Sequence, residues 1–468
     1  MSNGLALKTI RELSYLIKTK QISPVELTSD VLDRAETLNP KVNAYIAIHR
    51  ELAEKDAKIA EKEIMDGNYR GPLHGIPFAL KDMFAFKDRI RTMASRQHSP
   101  HPENYEATVV SKLRKAGVIF TGTLNMMEYA FGDDPDPPYG VCKNPWNTDY
   151  FPGGSSSGSG VALAADMVIA SVGSDTGGSI RTPSAYCGVV GLKPTSGRVS
   201  KYGAYPLSWT YDHIGPMAKT VEDVAIVFQH IAGYDPKDPI TTNVPVPNYK
   251  KFLREDIKGL VIGVNEDHFF KDINPEIEAL TRKAIRDLES MGATIKQVDI
   301  PHLENVYFIE VVTAFSEGAA VHADNLINSP KLYGDSLRQG LLLGHLITGS
   351  DYAMAQQLRQ KICESFERAF EEIDVLIAPT TPNPASTLKQ RYEKSEQKEV
   401  PNLKERGTRI LSPANAAGLP SLSVPCGFIN ELPVGMQLIG KQFSEGTLFN
   451  VAYAYEKFKG ITRKPSIS

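Results

Sequence analysis

An α/β fold is predicted by three features of the sequence. From residue 71 onward, short apolar runs that read as buried strands alternate with segments of helical period. The first 70 residues, in contrast, read as helices alone, and no internal repeat divides the chain into an array. The 468 residues exceed the usual single-domain length, yet large α/β folds bury one continuous core at this size. One domain over 1–468 is therefore expected: a helical segment over 1–70, a core over 71–220, irregular and helical insertions over 221–400, and further core elements over 401–468.

Taken in order, Ile10, Leu13 and Ile17 fall at helical spacing, and Ser23-Pro24-Val25-Glu26 forms a capping box with proline at the first helical position. Leu27, Val31 and Leu38 continue one apolar face, which Asn39-Pro40 is expected to end. A third helix runs from about Arg50 to Gly67. Ile76 to Leu80 is a short apolar run with Lys81 and Asp82 at its end. A helix from Tyr105 to Gly117 leads into a strand at Val118 to Thr121, and further strands are expected at Leu260–Val264, Thr294–Val298, Val375–Ala378, Ser421–Val424 and Val434–Ile439. Helices fit Pro275–Met291, Asp351–Phe370 and Leu448–Lys457. The proline-rich or charged stretches near Asp235–Tyr249 and Thr380–Glu405 read as excursions from one domain.

Composition narrows the class. Apolar and charged fractions of 41% and 23% are those of an ordinary globular protein. A net charge of −3 with no long run of one sign suggests neither a nucleic-acid footprint nor a membrane-surface patch. The four cysteines, Cys142, Cys187, Cys363 and Cys426, are far apart and read as reduced thiols, not as a disulfide framework or zinc site. With no signal-like N-terminus and no apolar run of membrane-spanning length, the chain is expected to be cytoplasmic.

The most informative stretch is 152–182. Two turns rich in glycine and hydroxyls, Gly153–Gly160 and Gly173–Ser179, bracket an apolar segment whose only charge is Asp166. Glycine lets the backbone approach a ligand and lets successive N–H groups point into one concavity. A serine in such a turn has the surroundings of a nucleophile beside an oxyanion hole. Rival readings are a plain flexible loop and a phosphate-binding nest. A P-loop would need a lysine that Gly153–Gly160 lacks, and a dinucleotide fingerprint would need glycine where Leu163 stands. Gly154-Ser155-Ser156-Ser157-Gly158 satisfies a nucleophile-elbow pattern with Ser156 as nucleophile, but a loop-like segment precedes it instead of a strand. A lysine base is the third option. Lys81 is suitable if burial lowers its pKa, with one serine relaying its proton to another. The Ser395–Lys398 match to Ser-x-x-Lys lies in a charged stretch and reads as chance.

Three motifs resemble the signatures of the amidase signature family: Gly153-Gly154-Ser155-Ser156-Ser157-Gly158-Ser159, Gly173-Ser174-Asp175-Thr176-Gly177-Gly178-Ser179-Ile180-Arg181, and Gly75-Ile76-Pro77-Phe78-Ala79-Leu80-Lys81-Asp82. Asp212-His213-Ile214-Gly215-Pro216 and the segment from Gly418 to Gly427 extend the likeness over most of the chain. The resemblance implies a single α/β/α sandwich around a large mixed β-sheet. It also implies Ser179 as the acylated nucleophile, Ser155 as a bridging serine held by a cis peptide, and Lys81 as terminal base and acid. Thr176, Gly177, Gly178 and Ser179 would supply the oxyanion hole. Asp175 and Arg181 would brace the turn as an ion pair, with Ser156 hydrogen-bonding nearby. No metal or organic cofactor is required by this chemistry.

The implied activity is hydrolysis of a linear carboxylic amide by a free-standing amidase. The expected partner is a small-molecule amide, with no nucleic acid and no membrane; a homodimer is allowed. Pocket walls are expected from Asn125–Phe131, Tyr205–Trp209 and Tyr307–Ala323, with Met127, Tyr129 and Trp209 as named candidates. The alternative is the glutaminase subunit of a tRNA-dependent amidotransferase. Two departures speak against it: Gly122-Thr123-Leu124-Asn125-Met126 replaces that subunit's Gly-Lys-Thr-Asn-Met, and Thr408, next to Arg409, stands where an acid would read the ammonium of glutamine.

Overall fold

The computed structural model of the chain describes residues 4–396, 408–460 and 463–467. Its centre is one eleven-stranded sheet. In chain order the strands are β1 (Tyr45–Ile48), β2 (Pro77–Lys81), β3 (Ile119–Leu124), β4 (Ala170–Asp175), β5 (Val190–Lys193), β6 (His213–Ala218), β7 (Val261–Val264), β8 (Thr294–Gln297), β9 (Val375–Pro379), β10 (Ser421–Ile429) and β11 (Leu432–Gly440). Across the sheet they lie in the order β1-β3-β2-β4-β6-β5-β10-β11-β9-β7-β8. Pairs β2–β3, β2–β4, β7–β8 and β7–β9 are parallel, and the rest are antiparallel. The sheet is therefore mixed.

Side-chain alternation along β2 shows how the layers form. Phe78 and Leu80 enter the larger core with Val172 and Ile214, whereas Ala79 joins a second core with Val161, Leu163 and Met217. Every β2 residue is buried, as a strand covered on both faces requires. Helices such as Ser157–Ala164 and Val221–Ile231 pack against the sheet, giving the helix-flanked α/β architecture.

Most of the expected elements form close to their predicted bounds, including the Ser23 capping box. One stop fails. The second helix runs through Pro40 to Val42 and ends at Asn43, whose φ of 52° provides the left-handed cap. Strands β1, β4, β5 and β6 and helices Val221–Ile231, Val306–Val321 and Asp335–Leu346 were not expected. β6 contains Gly215 and Pro216, which read locally as breakers. Yet any side chain at Gly215 would meet the Leu192 carbonyl at 1.9 Å, so close strand packing itself demands the glycine. The Ser395–Lys398 match and the end of the Thr380–Glu405 stretch run outside the described residues. Among the described residues no helix is long and apolar enough to cross a membrane, and all four cysteines are free thiols.

Candidate active site

Lys81 is the last residue of β2, where that strand meets the glycine–serine segments on either side of β4. Its side chain is 1% exposed. Nζ lies 2.7 Å from Ser155 Oγ and 2.8 Å from Ser174 Oγ. Burial lowers its pKa from 10.5 to about 7, although Asp212 and Asp175 pull in the opposite direction. An amine in this state exchanges its proton near neutrality, as a general base and acid must.

Ser155 follows a cis peptide bond with Gly154, and its carbonyl accepts a hydrogen bond from Met127 N at 3.1 Å. Ser156 joins the two turns: its N–H donates to the Ser179 carbonyl at 3.2 Å, its hydroxyl donates to the Ser174 carbonyl at 3.3 Å, and the same oxygen accepts from Ser174 N at 3.4 Å. A Cβ on Gly173 would meet Ser156 Oγ at 2.7 Å. These contacts fasten the segments carrying Ser155 and Ser179 to each other. Ser179 itself is partly exposed, as a nucleophile that receives substrate has to be.

The turn from Asp175 to Arg181 is built around a fully buried ion pair. Arg181 Nη2 lies 3.0 Å from Asp175 Oδ1, and Nε donates to Oδ2 at 3.1 Å. Nη1 donates to the Leu411 carbonyl and Gln437 Oε1, both at 2.9 Å, while Nη2 reaches Asn415 Oδ1 at 2.5 Å. Burial alone would raise the Asp175 carboxyl, but Arg181 and Asn415 outweigh it and hold the group well below the ordinary carboxylate range. Asp175 in turn accepts from Gly178 N at 2.9 Å and Ile180 N at 3.1 Å.

The Gly178 N–H is engaged by Asp175, whereas those of Thr176, Gly177 and Ser179 make no hydrogen bond among the described residues. The φ of +113° at Gly178, with Leu411 Cδ1 2.3 Å from any added Cβ, explains the glycine there. Thr176 Oγ1 donates to Asp212 Oδ1 at 2.5 Å, and Asp212 Oδ2 accepts from Leu207 N at 2.8 Å and Ser208 N at 3.1 Å.

The expected pocket residues separate. Met127 packs on the Ser155 segment, its sulfur 2.2 Å from where a Gly154 Cβ would lie. Tyr129 is 3% exposed in a closed aromatic cluster with Tyr205, His322 and Tyr333, at ring distances of 4.5 to 5.8 Å. Its ring packs edge to face within the core. Trp209 is 58% exposed, on a loop tied to Glu317 through Ser208 and Thr210. Ser174 and Asp212 carry contacts to Lys81 and to the turn that sequence reasoning assigned to neither residue, although both lie inside quoted motifs.

The Amidase family matches residues 26–449. A protein of Halalkalibacterium halodurans named as a glutamyl-tRNA(Gln) amidotransferase subunit is 38% identical, with 98% of this chain and 99% of that one covered. The solved subunit of the same name from Thermotoga maritima superposes with a TM-score of 0.81 at 31% identity, covering 99% of this chain and 98% of that one. Native peptide amidase from Stenotrophomonas maltophilia superposes with a TM-score of 0.86 at 29% identity, covering 98% and 99%. A near full-length relative that is one subunit of an enzyme named for a transfer RNA overturns the expectation of a small-molecule amide as sole partner with no nucleic acid.

Proposed function

The chain belongs to the amidase family, and from that premise we propose that it hydrolyses a carboxamide C–N bond through an acyl-enzyme on Ser179, as the ammonia-releasing component of a tRNA-dependent amidotransferase. The observation that carries the chemistry is the buried, near-neutral Lys81 amine between two serine hydroxyls. The amidotransferase setting is supported by the full-length likeness to proteins named as subunits of that enzyme.

In this mechanism the Ser179 oxygen attacks the amide carbon while its proton passes to Ser155 and the Ser155 proton to neutral Lys81. The carbonyl π electrons move onto oxygen, which then accepts hydrogen bonds from the Gly177 and Ser179 N–H groups; one such donor is typically worth about 10²- to 10³-fold in rate. The Lys81 ammonium then returns its proton through Ser155 to the amide nitrogen, the C–N bond breaks, and ammonia leaves. Water repeats the sequence on the acyl-enzyme, with Lys81 again as base, to give carboxylate and free Ser179.

A second reading, a free-standing amidase, is favoured by Thr408 at the position where an acid would read the ammonium of glutamine and by the likeness to peptide amidase. The test measures ammonia release by the purified chain from L-glutamine and from simple amides, with and without candidate partner subunits and glutamyl-tRNA, and looks for an acyl adduct on Ser179 by mass spectrometry. Glutamine turnover that rises with partners supports the amidotransferase. Turnover of simple amides that partners leave unchanged supports the second reading. Full activity in Ser179→Ala would sink both.

A further inference from the structure

Asp82 follows Lys81 at the end of β2 and, like it, is buried. Its Oδ2 accepts from Thr92 N at 3.0 Å and from the Thr92 hydroxyl, and the Met93 N–H serves the same carboxyl. The Thr92 oxygen in turn accepts from Ala94 N at 3.1 Å. Three converging donors suit a carboxylate, which offers about four lone-pair sites and strengthens each bond by its charge. They also hold Met93 and Ala94 at φ of 55° and 52°, a left-handed conformation that residues other than glycine adopt only where their surroundings enforce it.

The segment so held carries the next one. Tyr129 N donates to the Met93 carbonyl at 3.0 Å, Ser95 Oγ donates to Glu128, and the Tyr129 hydroxyl donates to the Gln97 carbonyl. Tyr129 and Ala130 are left-handed as well, at φ of 47° and 63°. Ala130 N closes on the Met127 carbonyl at 2.9 Å, and Met127 N donates to the Ser155 carbonyl at 3.1 Å. Because Ser155 Oγ lies 2.7 Å from Lys81 Nζ, these contacts close a circuit. It runs from Asp82 through 92–97 and 127–130 to Ser155, and returns to the residue beside Asp82.

A proton relay needs its heavy atoms within hydrogen-bond reach, and a misplacement of about 1 Å can cost about 10²-fold in rate. β2 fixes the root of Lys81, and the circuit fixes where Ser155 stands relative to it. We propose that Asp82 is a positioning residue that holds Ser155 in register with Lys81, so that the proton passes between them. The inference rests on the hydrolase reading at Ser179.

The test separates the relay from the fold by the leaving group. An amide nitrogen departs only after gaining a proton through Ser155, whereas the C–O bond of p-nitrophenyl butanoate breaks to leave its electron pair on a phenolate that needs no proton. L-glutamine, butanamide and this ester are assayed with the wild type, Asp82→Ala, Asp82→Asn, Thr92→Val and Thr92→Ser, at a pH above the value of about 7 to which burial raises the Asp82 carboxyl. For whichever amide the wild type turns over, Asp82→Ala and Thr92→Val should lower kcat about tenfold or more with KM within about twofold, and lower kcat/KM for the ester by a smaller factor. Asp82→Asn, which keeps an acceptor, and Thr92→Ser, which keeps the hydroxyl, should recover part of the loss. A segment needed only for folding would lower amide and ester together. Should Asp82→Ala fail to fold, Thr92→Val against Thr92→Ser decides the matter. Equal losses on amide and ester, or an unchanged amide kcat in a folded Asp82→Ala or Thr92→Val, overturn the assignment and leave the hydrolase intact. Absence of any acyl-Ser179 adduct in the wild type overturns the hydrolase and the assignment together.

Discussion

Replacing Lys81 with methionine should abolish turnover and change how stability depends on pH. Lys81 titrates near 7 in the folded chain and at the ordinary 10.5 once unfolded. Between those values the unfolded chain holds the proton and the folded chain does not, so raising the pH favours the folded state. At pH 7 the unfolded state gains about 4 kcal/mol from this proton, and at pH 9.5 only about 1 kcal/mol. Relative to Lys81→Met, which cannot titrate, the wild type should therefore gain about 3 kcal/mol between pH 7 and pH 9.5. The lost hydrogen bonds to Ser155 and Ser174 offset the two proteins by a constant amount and leave this difference untouched. Urea melts of both proteins at both pH values measure it. A gap that stays constant would mean that Lys81 remains charged when buried, and the proposed base would be refuted.

Four further outcomes follow from the same geometry. In the wild type, kcat/KM for an amide should rise about tenfold per pH unit below 7 and level above it, as the neutral amine becomes the dominant form. Because Asp212 raises the Lys81 pKa, Asp212→Asn should move that midpoint to lower pH, read from the same profile. Asp175→Asn leaves the buried Arg181 without its counter-charge and should cost roughly 3–5 kcal/mol in urea melts; a loss under 1 kcal/mol would deny the pair its bracing role. Gly178→Ala forces a side chain at positive φ into Leu411 and should lower both the melting temperature and kcat, whereas Ser157→Ala at the helix start should change kcat little.

What the sequence could and could not disclose follows from how far each contact reaches along the chain. Lys81, Ser155 and Ser179 stand inside compact glycine-rich motifs whose local composition already signals close backbone approach, and the structure carries the first two to within 2.7 Å of each other. Ser174 lay in the same motif, but a strand-end serine gives no sign of which amine it will meet. Strands β4 to β6 were missed because glycine, serine and proline dilute their apolar character, and only the neighbouring strands make those residues fit. For Tyr129 and Trp209, aromatic identity predicts burial or contact but not direction: one is buried among other rings and the other stands exposed.

The clasp on Arg181 also bears on when the enzyme can first act during its synthesis. Its guanidinium is gripped by Leu411, Asn415 and Gln437, and Asn415 holds Asp175 as well. A nascent chain still tethered to the ribosome, with its serines and lysine already outside the exit tunnel, lacks the grip that shapes the reactive loop until the helix bearing Leu411 and Asn415 and the strand bearing Gln437 emerge. Chains cut before residue 411 should accordingly show no ammonia release, and an assay of such a truncated chain checks this.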